Sequence, residues 1–178
     1  MVMQDISKID LEPDDALYHH QMGVTLHEMG RYEEALSEEK RAVELEPDDA
    51  LYHHQMGVTL HEIGRYEEAL SEEKRAIELE SDDALYHYQL GVTLHMMECY
   101  EGAFSEEKRA VELEPDNARY HYVMGVTLHE MGCYEEALTE KKSAIGLEPK
   151  KAGYHDSLGV TLHEMGCYEE ALTEKKAR

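Results

Sequence analysis

Histidine is the residue whose recurrence first suggests chemistry. The chain of 178 residues holds 12 of them, and their spacing is regular. His19, His53, His87, His121 and His155 stand 34 residues apart, and so do His27, His61, His95, His129 and His163. Imidazoles in such numbers invite two readings, metal coordination and acid–base work. Neither fits the local spacing. His20 and His27 on one helix lie about 10 Å apart along its axis, and the adjacent His19 and His20 point to different faces. A metal would need ligands from two copies of the pattern, such as His27 and His61, with three or four groups converging. No metal and no other cofactor is expected. Catalysis needs a constellation that occurs once, whereas every candidate here recurs. The chain has no glycine-rich phosphate loop and no Ser or Cys in a nucleophile turn, so an enzyme is not expected.

The elements that would position these histidines are copies of one unit. Beginning at Ala16, a stretch of 34 residues restarts at Ala50, Ala84, Ala118 and Ala152. The first two copies differ only at Met29/Ile63, Val43/Ile77 and Pro47/Ser81. A period of this length denotes a supersecondary unit stacked on itself. Tyr18, Met22, Leu26 and Met29 mark one face of a helix, Gly30 interrupts it, and Tyr32, Ala35, Leu36, Ala42, Val43 and Leu45 rebuild a helical stripe. Pro47 cannot continue that helix, and Asp48 or Asp49 can cap the next. Each unit therefore predicts helix, tight turn, helix, short turn. The expected divisions are a partial helix over 1–15, then repeats over 16–49, 50–83, 84–117, 118–151 and 152–178, forming one array.

The unit resembles the tetratricopeptide repeat, whose pattern runs Trp, Leu-Gly, Tyr, Ala, aromatic, Pro at set spacings. The matching slots hold His19, Met22-Gly23, Leu26, Ala35, Glu39 and Pro47. The Gly, the Ala pair Ala35 and Ala42, and the Pro agree with the pattern. Two slots depart from it. The Trp slot is His in all five copies, and the second aromatic slot is Glu39, Glu73 and Glu107, then Lys141 and Lys175. A His and a Glu facing each other across the seam would form a hydrogen-bonded pair. The simpler expectation is that Tyr18 and its copies supply the missing ring while the Glu swings outward.

The resemblance implies an all-α fold, a right-handed α-solenoid or superhelix of antiparallel helix pairs. It also implies a protein-binding scaffold whose first helices line a concave groove. Carried onto this chain, the groove row is Leu17, His20, Val24, His27 and Glu28, followed by Leu51, His54, Val58, His61 and Glu62. The third copy contributes Leu85, Tyr88, Val92 and His95, and the fourth Arg119, Tyr122, Val126, His129 and Glu130. The rings of Tyr88 and Tyr122 are expected to face the groove, where their loss would cost binding and little stability. Some relatives hold a chaperone's terminal carboxylate with Lys, Asn and Arg on this surface. Here it offers His, Tyr, Gln and Val, with no Lys or Asn clamp. An apolar floor with an acidic rim suits an apolar or basic segment of a partner protein.

Charge narrows the partners further. With 40 acidic and 17 basic residues the net charge is −23, which repels nucleic acid and anionic membrane. The charge is uneven: through Asn117 there are 30 acids and 9 bases, and from Ala118 onward 10 and 8. Cys99, Cys133 and Cys167 repeat at one place in the unit, about 8–10 Å or more apart on stacked helices, too far for a disulfide. Free thiols suit a reducing compartment. The opening MVMQDISKIDLEPDD carries neither an apolar signal core nor a spanning segment, so a cytoplasmic location without membrane insertion is expected. The alternative to an adaptor is self-assembly through the array ends, where Ala171 and Leu172 border Lys175 and Lys176, and Ile6, Ile9 and Leu11 border Asp10, Glu12, Asp14 and Asp15.

Overall fold

The computed structural model describes residues 15–177. Among the described residues every regular element is an α-helix. Two compact units divide them, one ending at Ser81 and the other beginning at Asp82. The first contains α1 (Ala16–Glu28), α2 (Tyr32–Leu45), α3 (Ala50–Ile63) and α4 (Tyr66–Leu79). The second contains α5 (Ala84–Met96), α6 (Tyr100–Leu113), α7 (Ala118–Glu130), α8 (Tyr134–Leu147), α9 (Ala152–Glu164) and α10 (Tyr168–Ala177). The proposed partial helix over 1–15 lies outside the described residues except for Asp15, and so do the side chains of Lys175 and Lys176.

Helix starts follow from local chemistry. Asp15, Asp49, Asp83 and Asn117 sit in extended backbone, and each side chain accepts from the amide two residues on. Such a cap contributes about 1 kcal/mol. Lys151, which begins α9, has no oxygen to offer and makes no such bond. Inside each pair the chain reverses through a left-handed residue. Gly64 adopts φ +84°, at no steric cost without a Cβ. Glu98 takes the same place in the third repeat at φ +59°.

Each pair closes on small residues. Ala35, Ala42 and their copies through Ala144 are buried in the crossing of the two helices. Within each unit a tyrosine at the third position of a copy then fills the seam to the preceding pair. Tyr52 packs on Ala16 and Ala42, Tyr120 on Ala84 and Ala110, and Tyr154 on Ala118 and Ala144. These rings supply aromatic area in the seam.

The second half of that expectation is corrected. Glu39, Glu73 and Glu107 do not swing outward; all are buried, as is Lys141. Their stems run across a glycine of the same pair. A Cβ on Gly91 would stand 2.7 Å from Glu107 Cγ, and one on Gly125 would stand 2.8 Å from Lys141 Cγ. The glycine is required by the side chain crossing it.

Two glycine replacements should therefore have opposite signs. Gly91→Ala overpacks the crossing, an effect of about 1–3 kcal/mol, and should lower the denaturation midpoint despite a better helix former. Gly146→Ala in α8 meets open space and should raise it, by up to about 1 kcal/mol. Urea titration of both variants checks this, and equal shifts would remove the crossing argument.

Candidate functional site

The first series of histidines is structural. His19, His53, His87, His121 and His155 each place Nδ1 2.7 Å from a glutamate oxygen, on Glu38, Glu72, Glu106, Glu140 and Glu174 respectively. The alternative pairing across the seam, with Glu39 and its copies, is not formed; the partner is the residue before it, Glu38 and its copies. This also explains why Lys141 disturbs nothing here, since Glu140 remains beside His121. Nε2 of His53, His121 and His155 donates to the carbonyls of Pro47, Pro115 and Pro149 at 2.8–2.9 Å. A carbonyl only accepts, so a second proton must lie between Nδ1 and the carboxylate. The Glu174 bond, with help from the Pro149 carbonyl, raises the pKa of His155. The imidazole ties the second helix of its own repeat to the turn that precedes the first.

The buried glutamates are held by the following repeat. Thr59 Oγ1 donates to Glu39 Oε1 at 2.7 Å, and Thr127 Oγ1 donates to Glu107 Oε1 at 2.8 Å. Burial lifts both carboxyls to a pKa of about 7, against which the threonine bonds work. At the next junction Lys141 Nζ donates to Thr161 Oγ1 at 2.7 Å and to the Ser157 carbonyl at 3.3 Å. Burial lowers this ammonium to about 8. Sequence reasoning identified the unusual slot and missed its threonine. A signal existed, since Gly-Val-Thr-Leu-His is identical in all five copies, at 23–27, 57–61, 91–95, 125–129 and 159–163.

Of the predicted groove residues, Leu17, Glu28, Leu51, Glu62, Leu85, Arg119 and Glu130 are exposed. Partly exposed are His20, Val24, His27, Val58, His61, Val92, His95, Tyr122, Val126 and His129. His54 and Tyr88 are buried, and this corrects the expectation that Tyr88 faces a partner. The Tyr88 ring stacks on Tyr120 with centroids 5.0 Å apart, and Arg119 lies 4.8 Å above it. Tyr122 likewise stacks on Tyr154 at 4.8 Å. His20 packs on Tyr52 in the same way, and removing the Tyr88 and Tyr122 rings would open a cavity in the seam. What remains open to a partner in α1, α3 and α5 is Leu17, Leu51 and Leu85 with the valine and the last histidine of the same helix, and in α7 Arg119 with Val126 and His129.

Among the described residues, no group of three or more His, Cys, Asp or Glu is placed to hold a metal ion. No helix among them is long and apolar enough to cross a membrane. The three cysteines are free thiols.

Comparison with known proteins agrees with this geometry. Family models described as TPR repeat match residues 25–64 and 59–98, and one described as tetratricopeptide repeat matches 108–139, together more than half of the chain. No curated protein matches the sequence. Among solved structures, MamA (residues 41 to end) from Desulfovibrio magneticus RS-1 is 23% identical at a TM-score of 0.86, covering 94% of this chain and 95% of that one. YrrB, described as a TPR protein with an unusual peptide-binding site, is 24% identical at 0.76 over 92% and 84%. PilF of Pseudomonas aeruginosa is 20% identical at 0.82 over 91% and 74%. These likenesses show the shared all-α solenoid fold.

The buried charges give stability a defined pH dependence. Between about 4.5 and about 7 the folded chain keeps protons on Glu39 and Glu107 that the unfolded chain has released. Their contribution therefore falls as pH rises through that window. Lys141 acts in the opposite sense: the folded chain loses its proton near 8 and the unfolded chain near 10.5, so its contribution rises between them. Glu107→Gln should flatten the decline from pH 5 to pH 8 by on the order of 1–3 kcal/mol. Denaturant midpoints across pH check it, and a profile parallel to wild type would refute a raised carboxyl.

Proposed function

This chain belongs to the tetratricopeptide repeat family, and from that premise we propose that it is a scaffold binding an apolar or basic segment of a partner protein. The observation that carries this reading is the first-helix face of each unit. Leu51 and Leu85 stand 46% and 44% exposed, at the head of a row that continues through Val58 and His61 in one unit and Val92 and His95 in the other. Isolated leucines on a surface are ordinary, but one repeated at the same register beside valine and histidine makes a stripe. Glu28, Glu62 and Glu130 stand exposed at the far end of the row. The net charge of −23 favours a basic segment and disfavours nucleic acid. Binding without catalysis, in the cytoplasm, is part of the same reading.

A second reading, self-association, is supported by one contrast. Leu36 is 3% exposed under Met56 and Leu60 of α3, whereas its equivalent Leu172 in α10 is 55% exposed beside Val160 and Tyr168. Helix α1 has the same 13 residues, Ala16–Glu28, as the first 13 of α3, so a second copy offers a helix that fits such a face.

Selection of a displayed peptide library against the whole chain tests the first reading. Enriched sequences should combine basic residues with apolar anchors, and Leu51→Asp or Leu85→Asp should weaken them at least tenfold, about 1.4 kcal/mol, with circular dichroism unchanged. Acidic winners, or equal binding to both variants, would sink it. Light scattering tests the second: mass should rise with concentration and stay at one chain in Leu172→Asp. A single-chain mass at every concentration in the wild type would leave the adaptor reading alone.

A further inference from the structure

The second unit contains a hydrogen-bonded line from a buried carboxyl to the first-helix face. Glu107 Oε1 lies 2.8 Å from Thr127 Oγ1, and Thr127 Oγ1 lies 2.9 Å from His95 Nδ1. Glu107 is 1% and Thr127 0% exposed, while His95 is partly open. The other carboxyl oxygen, Oε2, is buried without a hydrogen bond. A hydroxyl has one proton, so Thr127 donates to only one neighbour at a time. With Glu107 ionised, Thr127 donates to the carboxylate. Nδ1 of His95 must then carry a proton and donate to Thr127, leaving Nε2 as a bare acceptor. With Glu107 protonated, its O–H donates to Thr127, the hydroxyl turns to donate to Nδ1, and the ring proton moves to Nε2.

We propose that Glu107, acting through Thr127, sets which nitrogen of His95 carries the proton, so that a buried carboxyl decides whether this face offers a hydrogen-bond acceptor or a donor. Both states lie in an accessible range, since burial holds Glu107 at about 7. Burial also lowers the pKa of His95, with Glu130 of α7 opposing, so the neutral ring is favoured. From α5 the other ionisable neighbour is Tyr88, whose pKa burial raises and which Arg119 of α7 covers. His87 and His121 are turned to Glu106 and Glu140. From α6, Tyr100 lies 5.3 Å from the His95 ring, its pKa raised by burial; among the described residues no cation contributes to the shift of Glu107, which burial raises and the Thr127 bond opposes.

The adjoining junction is an internal reference. Lys141 stands in the glutamate slot and donates to Thr161, while His129 Nδ1 lies 3.0 Å from the same hydroxyl. No carboxyl proton can move along this line, so His129 has no carboxyl-driven exchange of tautomers.

The consequence for a partner rests on the binding reading above, whereas the tautomer itself does not. At higher pH the acceptor form of His95 would receive a donor such as a lysine ammonium or a backbone amide.

Two-bond 1H–15N spectra of the histidine rings, recorded on the full chain without partner from pH 6 to 8.5, test the proposal. In wild type the protonated and unprotonated 15N shifts of His95 should exchange between its two nitrogens, with a midpoint matching the 13C titration of Glu107. Thr127→Val should abolish the exchange while Glu107 still titrates. Glu107→Lys, which borrows the residue used at 141, should abolish it as well. A single His95 tautomer throughout in wild type, or an exchange that survives in Thr127→Val, overturns the proposal. Peptide binding that fails while the exchange persists overturns only the binding reading.

Discussion

Within each unit a long polar side chain crosses a close approach of two helices and reaches the next repeat, and its neighbours are fitted to that constraint. The stem of Glu39, Glu107 or Lys141 passes over a glycine of its own repeat and ends against a threonine of the next. A buried charge is tolerated only when hydrogen-bonded, so the threonine is needed as much as the glycine. An aromatic ring in the same slot would hold the pair by area alone. Here the seam is held by area from the tyrosines and by polar bonds from the glutamates.

That division of labour explains how an array without Trp remains packed. A histidine stands in the Trp slot, and the tyrosine beside it supplies aromatic area in the seam. The vacated position has become a clamp in which imidazole joins a glutamate to a proline carbonyl. The His–Glu bond of the clamp lies within one repeat, whereas its proline carbonyl and the threonine contact belong to a neighbouring one. Stacked arrays draw their stability from these two kinds of contact.

The same economy limits what is left for a partner. Stacking on the next tyrosine removes Tyr88 from the face and half-covers Tyr122, and His54 is buried as well. The surface that remains is narrower than the repeat pattern suggests: a leucine, a valine and a histidine in each of α1, α3 and α5, with Arg119 replacing the leucine in α7. In α5 and α7 that histidine, His95 or His129, is also the outer end of the polar line through the seam, so core and face share a residue.

Period, helix order, caps and turns were all legible in the sequence, because each depends on residues close together in the chain. The 34-residue copy, Asp49 before its helix and Gly64 after it determine local backbone wherever they are placed. The small residues at 23, 35 and 42 likewise announce a close crossing. What the tertiary structure decided is which polar groups meet. His53 takes Glu72 and not Glu73 because a helix turns each residue by about 100°, so one step sends a side chain to a different neighbour. Glu107 finds Thr127 across a seam, 20 residues along the chain. Tyr88 is buried because Tyr120 of the next repeat lies over it. Such pairings depend on how one helix pair stacks on the next, and a repeating pattern carries the same letters whichever neighbour a side chain meets.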